Sequence, residues 1–276
     1  MIKKIIACSD LHIRNFQRLE EYADTLTVFI EKCREIASKY EKDEVRIVIC
    51  GDILHSKNTI SAELISFTSN FIRQLEEIAK VIVIAGNHDL IVNNTSRKDA
   101  LTGIFETAFF QNTFFLDNIL DYESGYVVDD NVTWALYSIY NDFMAPDLDK
   151  AREEYPHNKI IGLYHGMIVG SSLHNGTIVD SGVDKEIFEG CDCVMCGDIH
   201  KRQALRKNGI DIVYCGSLIQ QTFGETVTQH GFVEWTIEDN NITFQFVDIN
   251  TEYGLYTFEI NDIDDIKNDK EILVNY

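Results

Sequence analysis

The sequence predicts an α/β fold in which two β-sheets pack face to face with helices outside. Three observations carry that prediction. In the first part of the chain, short apolar runs alternate with longer stretches whose apolar residues recur every three or four positions. That is the pattern of strand–helix–strand crossovers and a mostly parallel sheet. From about residue 126 onward, strand-like runs follow one another across short turns, which predicts a second sheet with more antiparallel character. Finally, six of the apolar runs end in a small residue followed at once by polar side chains. Such ends suit the carboxyl edge of an open α/β sheet, where ligands bind.

Taken in order, "KKIIAC" (3–8) and "VRIVIC" (45–50) read as buried strands, as do "VIVIA" (81–85), "KIIGLYH" (159–165), "CVMC" (193–196) and "DIVYC" (211–215). Helical periodicity covers 15–40 and 61–79, with Ser61 as N-cap of the second, and a further helix is expected over 97–108. "YVVDDNVTWALYSI" (126–139), "GFVEWTIEDNNITFQFVDI" (231–249) and "LYTFEI" (255–260) read as strands of the second sheet, with "EDNN" (238–241) as a hairpin turn. Only Pro146 and Pro156 occur, so Gly, Asn and Asp carry most turns. The acidic stretch 262–271 reads as a solvated loop.

Length and composition bound the function. With 276 residues, 45% of them hydrophobic and 11% aromatic, the chain can build a full core. Its apolar runs, such as 81–86, are far too short to span a bilayer, and the start shows no signal-peptide pattern, so a cytosolic setting is expected. A net charge of −21 argues against coating nucleic acid by charge alone. It does not exclude an enzyme of nucleic acids, because bound divalent ions supply positive charge locally. Seven cysteines predict no disulfide framework, and Cys193 and Cys196, a lone CxxC inside an apolar strand, are read as packing residues.

The polar strand ends carry the chemistry. "ACSDLH" presents Asp10 and His12, "ICGDILH" Asp52 and His55, "IAGNHD" Asn87, His88 and Asp89, "LYHG" His165, "MCGDIH" Asp198 and His200, and "YCGSLIQQ" Ser217 and Gln220. If these strands run parallel, all six ends gather at one edge. Cys8, Cys50, Cys196 and Cys215 then lie beneath a site as small packing residues. Carboxylate and amide oxygens suit Mg or Mn, and imidazole suits Zn, Fe, Ni or Mn. Seven ligand-type residues are too many for one ion. They fit two ions about 3.5–4 Å apart that share a carboxylate, the arrangement used on phosphate esters.

The ordered motifs resemble those of the calcineurin-like metallophosphoesterase superfamily: DxH, GDxx(H/D), GNH(D/E), a lone His, then GHxH, spanning 10–200 of this chain. The resemblance implies a four-layer α/β/β/α sandwich. "GDILHSKNTIS", "GNHDLIVNNTSRKDALTGIF" and "GDIHKRQALRKNGIDIVYCGSLIQQTFGE" look more narrowly like the nuclease subunit of double-strand-break repair complexes, the SbcD-type proteins and their phage and eukaryotic counterparts. It implies that Asp10, His12 and His200 hold one ion, that Asp52 bridges, and that Asn87, His165 and Asp198 hold the second. Both ions are expected to be Mn, with Mg as the other candidate. His88 is the implied catalytic acid, His55 the residue that orients it, and Asp89 a brace for the turn.

Asp198 stands where the family usually has His. It can bind the second ion, hold it through water, or leave a one-metal site. Lys57, Arg97, Lys98, Lys201, Arg202, Arg206 and Lys207 surround the motif loops, either as contacts to a DNA backbone or as solubilising charge. The resemblance implies a homodimer through the helices 61–79 and 97–108, which can equally just cover the sheet. It also implies an SMC-like ATPase partner, and host cytoplasm as the location if the source is a phage. A phosphoesterase domain is expected over 1–250, with 251–276 as the start of a capping segment or a tail, in a truncated or natural minimal form. Two functions follow: a metal-dependent DNA nuclease, exonuclease or endonuclease, acting in recombination or repair, or a phosphodiesterase or phosphatase on a small nucleotide or other phosphoester. A metal-free scaffold would need lost ligands, and the one departure, at 198, is to another ligand type.

Overall fold

The computed structural model describes residues 1–57, 60–90, 99–238 and 241–257. The strands predicted in the first half are all present: β1 (Lys4–Cys8), β2 (Val45–Cys50) and β3 (Lys80–Ile84), joined by helices α1 (Leu19–Ala37) and α2 (Ala62–Ile78). Helix α3 (Ala100–Ala108) follows, then the short β4 (Thr113–Phe115) and α4 (Leu116–Ile119). The predicted 15–40 helix starts late, at Leu19, because Phe16 and Arg18 take positive φ angles of 58° and 55°. Ser61 caps α2 by accepting the Leu64 N–H at 3.2 Å, and Asp99 caps α3 by accepting that of Thr102.

The second half forms β5 (Gly125–Asp129), β6 (Val132–Tyr137), α5 (Leu148–Glu154), β7 (Lys159–His165), β8 (Cys193–Gly197), β9 (Gln203–Lys207), β10 (Ile210–Tyr214), β11 (Gly231–Glu238) and β12 (Asn241–Asp248). One sheet has the order β12-β11-β1-β2-β3-β4, the other β5-β6-β7-β8-β10-β9. This corrects the expected division of strands. The β11–β12 hairpin does not join the second sheet; it pairs antiparallel with β1 at the edge of the first. The second sheet is parallel through β6, β7, β8 and β10, with antiparallel β5 and β9 at its edges. Residues 255–257 are not in a strand; the rest of the strand expected at 255–260, and the acidic 262–271, lie outside the described residues.

Side-chain alternation builds the layers. In the first sheet Ile6, Cys8, Ile47, Ile49, Val81 and Val83 face α1 and α2, burying Tyr22, Phe29, Phe71 and Ile72. Their neighbours Ile5, Ala7, Val48, Cys50, Ile82 and Ile84, with Trp235 of β11, face the second sheet and meet Trp134, Leu163, Met195 and Val213. The outer face of the second sheet, with Tyr137, Tyr164, Cys196 and Tyr214, packs under Leu148 and Ala151 of α5 and under Phe188. The result is the four-layer α/β/β/α sandwich. All seven cysteines are free and buried, and none belongs to a group able to hold a metal among the described residues. Among those residues no helix is long and apolar enough to cross a membrane.

Candidate metal centre

The parallel registers bring the predicted strand ends level. Cys8 lies opposite Ile49, Cys50 opposite Ile84, and His165 opposite Gly197. A bridge between Ser9 and Ser217 joins the two sheets at this edge. Past β1, β2 and β8 the chain turns through a conformation that side chains resist: φ is 52° at Asp10, 47° at His12, 54° at Asp52 and 89° at Asp198. Non-glycine residues in this region cluster at functional sites. Gly86 is required by close approach, since a Cβ there would collide with the Asp52 carboxylate.

Two groups of donors that include carboxylates result. Asp10, His12 and His200 form one: the His12 and His200 Nε2 atoms lie 3.0 Å apart, and each is 4.0 Å from Asp10 Oδ1. Asp10, Asp52 and His165 form the other. Asp52 faces both groups, with Oδ2 3.4 Å from His12 Nε2 and Oδ1 3.4 Å from His165 Nε2. On the His165 side, Asp198 Oδ1 lies 3.9 Å from His165 Nε2 and accepts from Asn87 Nδ2 at 3.0 Å.

These atoms fit a pair of cations. His165 donates its Nδ1–H to the Cys50 carbonyl at 2.7 Å, which leaves Nε2 buried, aimed at Asp52 and without a hydrogen-bond partner. Asn87 Oδ1 is likewise buried and unpartnered. A buried polar atom left unpaired costs about 1–3 kcal/mol, and a cation would satisfy both. The electrostatics agree. Burial raises the carboxyls of Asp10 and Asp198 above their usual range and pushes His12 down to about 2, toward the neutral form a ligand needs. Burial would also raise Asp52, but His165 overcomes it and holds Asp52 well below. Burial would lower His165, but Asp52, Asp10 and Asp198 raise it, so the carboxylates favour a positive charge at this imidazole, the charge a cation there would supply instead of a proton.

His88 sits at the rim. Its main-chain N–H donates to Asp52 Oδ1 at 2.8 Å, and its ring lies 4.7 Å from that of His12. With His12 and His55 it forms a third, all-imidazole group of donors. The ring of His55 stacks on His88 at 5.6 Å, but the hydrogen bond that holds His88 runs from Nδ1 to the main-chain carbonyl of His55, at 2.8 Å. Asp89 does not reach the donors; it braces the turn by accepting the N–H groups of Ile53, Leu54 and Gly86. Ser217 and Gln220, also at strand ends, are not part of the cluster: Ser217 meets His230 and Gln220 binds main chain. One residue was not predicted. Glu225 accepts a hydrogen bond from His200 Nδ1 at 2.8 Å; the "TFGE" stretch was legible, the contact across 25 residues was not.

The basic residues expected to flank the site are mostly engaged. Arg202 pairs with Asp248, Lys207 with Glu186, and Arg206 with Asp211 at 3.4 Å. Lys201 donates to Ser172 Oγ at 3.1 Å and Lys57 to the Asn87 carbonyl at 3.5 Å. Arg97 and Lys98 lie outside the described residues.

The sequence profile of the calcineurin-like phosphoesterases matches residues 3–217. The chain belongs to that family. This phosphoesterase thus falls among enzymes that use divalent metals, and its converging donors can hold them. It is 35% identical over 95% of its length to an uncharacterised protein of Acanthamoeba polyphaga mimivirus, of which it spans only 19%. It is 27% identical to the SbcD component of the SbcCD nuclease of Staphylococcus saprophyticus, over 98% of this chain and 75% of that one. A solved archaeal phosphodiesterase superposes with a TM-score of 0.40 at 14% identity, over 88% of this phosphoesterase and 99% of that chain.

Proposed function

We propose that this phosphoesterase is a metal-dependent DNA nuclease that hydrolyses phosphodiesters at a two-metal site, with Mn as the metal. The observation that carries the two-metal reading is Asp52, whose two oxygens face His12 and His165 at the same 3.4 Å. Asp10, His12 and His200 would hold one ion and Asn87, His165 and Asp198 the other, with Asp52 placed to serve both. A bound divalent pair supplies Lewis acidity and a nucleophile at neutral pH. The chain's own part is positioning and proton transfer. His88 Nδ1–H is committed to the His55 carbonyl, so the proton His88 exchanges with the leaving oxygen is the one on Nε2. Asp52 and His55 fix that ring from its main chain and its Nδ1.

The DNA substrate is supported by the S. saprophyticus relative, which aligns with nearly the whole chain. That relative is one component of a nuclease, and the proposal includes an SMC-like ATPase partner for this chain. It also includes a homodimer, for which exposed Ile65 on α2 and Phe109 after α3 offer apolar contact. A second reading, a phosphodiesterase or phosphatase on a small nucleotide, is favoured by the net charge of −21 and by the internal pairing of Arg202, Arg206 and Lys207. Incubation with Mn and end-labelled duplex DNA, beside a generic phosphodiester, separates the two. Cleavage of the duplex supports the nuclease; turnover of the generic ester alone refutes it.

A further inference from the structure

We infer that Glu225 is a positioning residue that sets the tautomer and direction of the His200 imidazole, and so tunes one of the two ion positions and not the other. The inference rests on the two-metal reading of the site. His200 is the least enclosed imidazole of the two carboxylate-containing donor groups, its side chain 23% exposed, and it stands on a loop after β8. Its Nε2 must nevertheless point at Asp10 and His12. The imidazoles differ in what holds their other nitrogen. His165 donates to the Cys50 carbonyl, and His12 Nδ1 has no partner. Of the three, His200 is the one that donates to a carboxylate, at 2.8 Å.

That contact has a definite consequence. With the proton fixed on Nδ1, the lone pair stays on Nε2, where a cation needs it, and the carboxylate raises the ring's basicity. Glu225 is itself held rigidly. Its side chain is 5% exposed, one oxygen accepts the Gln221 N–H at 2.8 Å, and Thr222 Oγ1 donates to the other at 3.3 Å. The loop carrying it is closed by the buried Gln220 amide. Gln220 Nε2 donates to the carbonyls of Thr222 at 3.1 Å, Glu225 at 3.0 Å and Leu255 at 3.1 Å, and its oxygen accepts the Leu255 N–H at 2.7 Å. A chain of fixed contacts therefore runs from the main chain at Leu255, through Gln220 and Glu225, to His200. His165 is backed differently, by a strand carbonyl.

The test uses the full chain with Glu225→Gln, which is isosteric, and Glu225→Ala. Mn binding is measured by calorimetry on metal-stripped protein, and the His200 tautomer by ring-nitrogen NMR before metal is added, at a pH high enough for the ring to be neutral. In the starting protein two ions bind and His200 carries its proton on Nδ1. In Glu225→Gln one ion should weaken by roughly 10–100-fold, the other should hold, and the melting temperature of the stripped protein should not move. Glu225→Ala should add a mixture of His200 tautomers. An unchanged tautomer together with two unchanged affinities overturns the inference, as does equal weakening of both ions. Failure of the starting protein to bind divalent ions would instead overturn the two-metal reading itself.

Discussion

Replacing Asp52 by Asn discriminates between its two oxygens. Oδ1 accepts the His88 N–H at 2.8 Å, and Oδ2 faces His12 Nε2 at 3.4 Å. In Asp52→Asn the amide oxygen should take the Oδ1 place, because an NH2 facing the His88 N–H would leave a buried donor unpaired at about 1–3 kcal/mol. The amide nitrogen then lies beside His12, where it can donate to Nε2 and occupy the lone pair meant for a cation. The ion on the Asp10–His12–His200 side should therefore be lost first. Disturbing a ligand's partner costs about 10–100-fold, and losing a ligand should cost at least the upper end, about 2.8 kcal/mol. The assay is a calorimetric Mn titration of stripped protein, with ring-nitrogen NMR showing which imidazoles respond. One ion retained at the His165 side is the expected result. Two ions at unchanged affinity, or loss of the His165-side ion alone, would refute the reasoning.

His88→Ala should lower turnover by about 10²–10⁴-fold while leaving Mn stoichiometry intact, read from steady-state rates and metal analysis; an unchanged rate means that His88 is not the acid. At position 198, Asp198→Ala should need far more Mn for half-maximal activity than Asp198→His, which restores an imidazole; identical titrations for Ala and the starting protein would reduce Asp198 to a turn residue. Away from the site, Asp129 ties Arg46 (2.6 Å) to Lys80 (2.8 Å) between the sheets. Asp129→Ala would leave the buried Arg46 charge unpaired, for about 3–5 kcal/mol and a melting temperature lower by roughly 10 °C. Burial would raise the Asp129 carboxyl, but the hydrogen bonds of Arg46 and Lys80 hold it at about 2. Its folded value is below the unfolded value of about 3.9, so its stabilisation is complete above that pH and fades as pH falls toward 2. Acid unfolding of Asp129→Asn, which lacks this term, should show a shallower loss over that window.

The sequence by itself determined the strands that carry the site and the residues at their ends. Buried parallel strands read as unbroken apolar runs, and Asp10, Asp52, Asn87, His165, Asp198 and His200 interrupt those runs at one place in each. Once the strands are parallel, their polar ends must share an edge, so the cluster was legible without a single measured distance. Tertiary structure alone decided three things. It placed the β11–β12 hairpin beside β1 rather than in the second sheet, because a hairpin's alternation suits any sheet edge and the choice is made by which face its Trp235 and Phe232 can bury. It gave the hold on His88 to the main-chain carbonyl of His55, which no side-chain pattern reports. And it set Glu225 against His200, a contact made by a loop folding back over the strand ends. Local sequence encodes period and chemistry; which distant surfaces meet depends on the packing of the whole core.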